Sequence, residues 1–106
     1  MIINLSEIQI AEIKRIIQKE LFIKGIEPTD EFLFIHCFSK THKETVYYHL
    51  FKENDTLIIR CYARVFDNIA LSVMIRRAAK NVIEYLVNQT GLQNTIYIEN
   101  GIEFKL

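Results

Sequence analysis

The chain has 106 residues, and 50% of them are hydrophobic, which suffices for one core of ordinary size and is too few for two. A single domain spanning residues 1–106 is therefore expected. The 13 basic and 13 acidic side chains cancel, which excludes a strong overall field that would steer the molecule to nucleic acid or to an anionic membrane. No run reaches the roughly 18 apolar residues of a membrane span, and the N-terminus lacks the pattern of a secretory signal, so we expect a cytoplasmic protein with no membrane partner.

The first predicted element is an amphipathic helix. Ser6 and Gln9 fit a capping box, in which their side chains satisfy backbone amides left free at a helix start. Apolar residues then recur at three- and four-residue steps: Ile10, Ile13, Ile17 and Leu21. The helix is predicted to end at Lys24 and Gly25, because glycine takes the left-handed conformation at a helix end at little cost and Pro28 discourages further helix.

Three strand-like segments follow, separated by polar turns: Glu31 to Phe38, Thr45 to Lys52 and Thr56 to Phe66. Their short connections predict an antiparallel meander. The second turn contains Asn54 and Asp55, residue types that tolerate turn conformations.

A long second helix is predicted from Asp67, as its N-cap, to Gly91. The tail then places Asn100–Gly101 between two alternating segments, Thr95–Glu99 and Ile102–Leu106, which favours a β-hairpin over a single bent strand. The predicted fold class is therefore α+β, with two helices on one face of an antiparallel β-sheet, in the order α-β-β-β-α-β-β.

The third predicted strand indicates which residues face the helices. Its odd-numbered positions from Leu57 to Val65 are apolar and are expected to point inward, whereas the even-numbered positions point outward. A tight turn at Asn54 and Asp55 would pair Leu50 with Ile59 and His49 with Arg60. The outward face, to which Phe32 also belongs, then gathers the candidate binding residues: Phe34, His36, Tyr47, His49, Phe51, Arg60, Tyr62 and Arg64.

This outward face has an unusual composition, because a solvated sheet normally shows Thr, Lys, Glu and Ser. Three explanations stay open. The C-terminal hairpin or a loop folds over it, or the chain forms a homodimer through it, or it binds a ligand by stacking bases on its rings and holding phosphates with Arg60 and Arg64. The same residue types serve a dimer interface and a ligand surface, so the sequence does not separate them.

Metal and nucleophile chemistry find little support in the sequence. Cys37 is expected to point to the opposite face from His36, and no known metal-ligand spacing is present, so we expect neither a metal site nor a cofactor. Cys37 and Cys61 each lie in an apolar run and are interpreted as buried reduced thiols. The pair Glu99 and Glu103 is assigned to a solvated strand face.

One basic cluster is a second candidate surface. The run Arg76-Arg77-Ala78-Ala79-Lys80-Asn81 resembles the second helix of double-stranded-RNA-binding domains, and the predicted α-β-β-β-α order matches that fold over roughly residues 6–89. The resemblance implies that Arg76, Arg77 and Lys80 contact RNA phosphates; the other interpretation is a solvated outer helix face. The same order with terminal strands is similar to that of small dimeric secretion chaperones.

The favoured hypothesis is a non-catalytic protein-interaction module, such as a small adaptor, inhibitor or chaperone-like accessory factor. It would dimerise or hold a protein partner through the aromatic sheet face. The alternative is a module that binds RNA or single-stranded nucleic acid through Arg60, Tyr62 and Arg64. An enzyme would need a concave pocket with convergent polar groups, which the sequence does not indicate.

Overall fold

The computed structural model describes residues 4–30, 32–64 and 68–106, and it places two helices beside one six-stranded sheet in that part of the chain. The strands lie in sequence order, β1-β2-β3-β4-β5-β6. The elements are α1 Glu7–Gln18, β1 Phe22–Pro28, β2 Leu33–Ser39, β3 Glu44–Glu53, β4 Thr56–Ala63, α2 Ile69–Thr90, β5 Asn94–Glu99 and β6 Ile102–Phe104.

The start of α1 confirms the predicted capping box. The hydroxyl of Ser6 accepts from the backbone amide of Gln9, and the Gln9 side chain accepts from the backbone amide of Ser6. The predicted end is wrong, because the helix stops at Gln18 and the residues from Phe22 onward form β1. Antiparallel pairing with β2 decides this segment, since Ile23 pairs with Cys37 and is buried, and such tertiary contacts override local helix propensity.

The meander β2–β3–β4 follows the predicted order and register. Asn54 has a φ of 55° in a two-residue turn between Glu53 and Thr56, which brings β3 and β4 together without a break. Leu50 therefore pairs with Ile59 and His49 with Arg60, as predicted. The predicted strand ends at Glu31, Val65 and Phe66 lie outside the described residues.

The connection from β4 through α2 to β5 changes the predicted sheet. The N-cap of α2 is Asn68, whose side chain accepts from the Leu71 amide, whereas the predicted cap Asp67 lies outside the described residues. At the other end Gly91 has the predicted left-handed conformation, with a φ of 73°. Because α2 crosses the sheet before β5 begins, β5 runs parallel to β4, so the sheet is mostly and not entirely antiparallel.

The C-terminal segment forms the predicted hairpin. Asn100 and Gly101 have φ values of 46° and 85°, the left-handed conformations that a two-residue hairpin turn requires. The Asn100 side chain also bonds to the backbone of Ala63, accepting from its amide at 3.2 Å and donating to its carbonyl at 2.9 Å. The hairpin adds the strands β5 and β6 to the sheet next to β4.

Both helices pack on the same sheet face and form one core with it, as the sequence predicted. The core includes inward residues of the central strands and apolar residues of both helices: Ile13, Ile17, Ile35, Val46, Leu50, Ile59, Leu71, Ile75, Val82 and Leu86. Tyr48 is also buried, and its hydroxyl donates to the Ile75 carbonyl at 2.7 Å. The four strands before α2 do not match the α-β-β-β-α order on which the resemblance to double-stranded-RNA-binding domains depended.

Candidate functional site: the open sheet face

The sheet face turned away from the helices, which we call the open face, collects apolar and aromatic side chains from β2 to β5. Residues that pair directly across two neighbouring strands project to the same side of the sheet, so the register of the strands determines which residues belong to the open face. We count as its members Phe34, His36, Phe38, Tyr47, His49, Phe51, Ile58, Arg60, Tyr62, Ile96 and Ile98. The same register puts the polar residues Thr45, Thr56 and Asn94 at the ends of this face. Within the described ranges, both helices lie on the opposite face and all six strands lie in the sheet, so none of these elements covers the open face.

The rings of the open face touch one another across the strands. Ring centroids are 5.5 Å apart for Phe34 and Tyr47, 5.2 Å for Phe34 and His49, and 4.7 Å for His36 and Tyr47. His49 also lies 5.4 Å from Tyr62. Most of the rings are half-buried, and these contacts join them in a continuous layer.

The two candidate arginines differ in position. Arg60 lies on the open face with its guanidinium 4.9 Å above the centre of the Phe51 ring, a cation–π contact. Arg64 follows the end of β4, its side chain is 86% exposed, and it lies 4.0 Å from the carboxylate of Glu44. Arg64 therefore lies at the rim of the open face, beside a cleft of about 360 Å³ that is lined by Tyr47 and other residues. The other seven of the eight predicted binding residues lie together on the open face.

The centre of the open face holds very little charge. Among its eleven members there is one cation, Arg60, and no carboxylate, while Glu27, Glu53 and Glu103 belong to its margins. Burial, and to a smaller extent the neighbouring Arg60, lower the pKa of His49. The imidazole of His49 is therefore neutral at pH 7, which keeps this centre apolar.

The predicted basic patch on α2 is largely neutralised by carboxylates. Arg76 donates two hydrogen bonds to Glu99, at 2.6 and 2.9 Å, and Arg77 donates two to Glu20, at 2.5 and 3.1 Å. Lys80 is exposed beside a cleft between α2 and β6. Two of the three cations thus hold parts of this chain together, which weakens the case for phosphate binding at this surface.

Glu99 lies on the other face from the one predicted, and the open face extends further than predicted. Glu99 pairs with Cys61 in the parallel register and is 3% exposed, so its assignment to a solvated face was wrong. Its carboxylate also accepts from the Tyr97 hydroxyl at 2.8 Å. The alternation of Ile96 and Ile98 with Tyr97 in the sequence indicates that the two isoleucines share one face of β5. Which sheet face that is depends on how β5 pairs with β4, and the sequence does not show this pairing.

The two thiols are buried, as the sequence predicted. Burial raises the pKa of Cys37 to about 12 and holds that of Cys61 well above its usual range, so neither forms a thiolate near neutral pH. The described residues contain no group of three or more His, Cys, Asp or Glu side chains arranged to hold a metal ion. His42 lies in the turn before β3, where its Nδ1 is 3.0 Å from the Ser39 hydroxyl.

Comparisons with other proteins leave the open face as the main source of information about function. No family model matches the chain, and neither the curated proteins nor the solved structures that were searched gave a match. Of the helices in the part of the chain that is described, neither is long and apolar enough to cross a membrane. What the chain does must therefore be inferred from its own side chains.

Proposed function

We propose that this chain is a non-catalytic protein-interaction module that forms a homodimer through its open face. The observation that carries the proposal is the uncovered aromatic layer of the sheet with no carboxylate at its centre. Water-facing sheets carry alternating polar residues, and an apolar patch of this kind marks an interaction surface.

The composition of the open face suits the core of a protein interface. Such cores are enriched in Tyr, Phe and Arg and depleted of Lys, Glu and Asp. Tyr47, Tyr62 and Arg60 are residue types that dominate binding energy when they are enclosed, because each combines a large apolar surface with a polar group. The ring contacts described above also reduce the side-chain entropy that ordering an interface costs.

A second copy of the chain is the partner that these features favour. Two-fold dimers are the commonest oligomers, and they require a surface that is complementary to itself. A face with one cation at its centre and carboxylates only at its margins, on a molecule with no net charge, presents little repulsion to an identical face. Stacking two copies would bring the rings of one chain over those of the other.

The experiment is a measurement of mass in solution by size-exclusion chromatography with light scattering, on the unmodified chain and on Tyr62→Glu. Tyr62 is 37% exposed on β4, so a carboxylate there is tolerated in the free chain but is enclosed without a partner in the dimer. We expect twice the chain mass for the unmodified protein and the mass of one chain for the variant, since enclosing an unpaired charge costs about 3–5 kcal/mol.

Val73→Glu is the matched control, because Val73 is 47% exposed on α2, on the other side of the sheet. It introduces the same charge at a comparable exposure and is expected to leave the mass unchanged. A monomeric unmodified chain at concentrations of about 100 μM, far above the Kd of an ordinary stable complex, would contradict the proposal.

Binding of single-stranded nucleic acid or RNA is the second candidate, and the combination of stacked rings with Arg60 and Arg64 favours it. It predicts salt-dependent binding of an oligonucleotide that is lost when both arginines are changed to Ala with the fold intact. No binding at low salt would remove this candidate. Binding together with a monomeric mass would replace the dimer with it.

A further inference from the structure

We propose that association through the open face is controlled by protonation of His49, so that the dimer forms near neutral pH and separates in mild acid. The inference rests on the proposed function and adds its regulation. It depends on where His49 lies and on which charges surround it.

His49 lies near the middle of the open face and is enclosed by rings. Its imidazole is stacked on Phe32 with a centroid distance of 4.7 Å, and it also contacts Phe34 and Tyr62 at 5.2 and 5.4 Å. On β4 its direct partner across the ladder is Arg60. A proton taken up by His49 therefore places a second cation next to an existing one, among apolar groups.

The groups that face His49 offer little compensation for that charge. From β2, β3 and β4 the titratable and charged groups on the same face are His36, Tyr47, Tyr62 and Arg60, together with Glu53 at the end of β3, four residues along the strand from His49. On β1 the facing groups are Lys24, which lies over the Phe38 ring, and Glu27, which is opposite Phe34 and thus one strand further from His49 than β2 is. On the other side Glu103 of β6 is opposite Ile98, two strands away from Arg60. In the described ranges no ion pair includes His49.

The free chain already disfavours the charged imidazole. Burial and the neighbouring Arg60 lower the pKa of His49 below its ordinary value of 6.5. Covering the open face removes the remaining water from this ring and brings the His49 and Arg60 of the second copy to the same layer. The dimer then binds fewer protons than two free chains once the pH falls towards the pKa of His49 in the free chain, which lies below 6.5, so acid favours the free chains.

The test measures the dimer dissociation constant by analytical ultracentrifugation at about pH 7.5 and about pH 5.5, with far-UV circular dichroism at both values. We expect the constant of the unmodified chain to rise several-fold in acid, on the order of fourfold or more, with the folded spectrum retained. In His49→Phe, which keeps a ring in the stack but cannot take up a proton, that change is expected to be clearly smaller, with His36 as the other histidine on the open face. His42→Gln, which removes a histidine outside the open face, is expected to keep the full acid response.

Each other outcome counts against a specific statement. A chain that is monomeric at both pH values contradicts the proposed function and this inference together. A dimer with the same dissociation constant at both values contradicts only the control by pH, as does an acid response of undiminished size in His49→Phe. Loss of the folded spectrum at about pH 5.5 would mean that acid dissociates the dimer by unfolding the chain, and it would overturn the inference.

Discussion

The carboxylate of Glu99 is nearly inaccessible to water and is held by three hydrogen bonds. Two come from the guanidinium of Arg76 on α2, and one comes from the hydroxyl of Tyr97 on the same strand. The Arg76 side chain is 41% exposed, and its guanidinium carbon lies 4.8 Å from the centre of the Phe104 ring, a cation–π contact. This group of side chains joins α2 to the C-terminal hairpin, so we interpret it as a structural ion pair.

Changing Glu99 to Gln is expected to lower the free energy of unfolding by about 1–3 kcal/mol, because hydrogen bonds to charged groups are replaced by weaker ones. Urea unfolding followed by circular dichroism measures this value. Glu103→Gln is the control, since Glu103 is exposed on β6, and a change of less than about 0.5 kcal/mol is expected there. Equal effects of the two substitutions would contradict the assigned role.

At the scale of single elements, the correct predictions were those of structures whose interactions involve only a few neighbouring residues. The capping box needs only Ser6 and Gln9, and the two hairpin turns depend on the left-handed conformations of Asn54, Asn100 and Gly101. Each was predictable because the hydrogen bonds or φ values involved span four residues or fewer. The alternation within β4 likewise predicted which side of the strand is buried.

The errors arose where distant partners decide the structure. Residues 22–28 form a strand because β2 offers an unpaired edge, and no local pattern reveals that edge. The same holds for β5, whose parallel alignment to β4 decides that Glu99 points inward and that Ile96 and Ile98 belong to the open face. Most of the candidate site was therefore predictable, because it lies on the locally connected meander, whereas its extension by β5 was not.

Ser6→Ala is expected to lower the free energy of unfolding by about 1 kcal/mol, since it removes one side of the reciprocal hydrogen bonds at the start of α1. Thermal or urea unfolding measures the effect. Lys14→Ala, at an exposed position inside the same helix, is the control and is expected to change stability very little. A larger loss in the control than in Ser6→Ala would contradict the importance of the cap.

On the scale of the whole molecule, the sheet has a central region and two unlike edges. β3 and β4 have a hydrogen-bonded strand on both sides, and their inward residues Val46, Leu50 and Ile59 are buried against the helices. β1 lies at one edge with a shift in register between Ile23 and Gly25, and the three-residue β6 lies at the other. Stability is therefore expected to decrease from the centre of the sheet to its edges.

Amide hydrogen exchange followed by NMR tests this gradient. Amides of β3 and β4 are expected to exchange only through global unfolding. Amides of β6, and those of β1 that point away from β2, are expected to exchange through local opening at least about 100-fold faster. Uniform rates over all six strands would show that the sheet opens as one unit and contradict the expected gradient.

The parallel pairing of β4 and β5 also has a consequence for refolding of the chain. β4 ends at Ala63, but the strand that pairs with its free edge begins only at Asn94, and α2 lies between them. Until α2 has packed and β5 has reached the sheet, a refolding chain exposes the unpaired backbone of β4, a template for pairing with a second chain. Dilution of the denatured protein before refolding is therefore expected to increase the fraction recovered without aggregation.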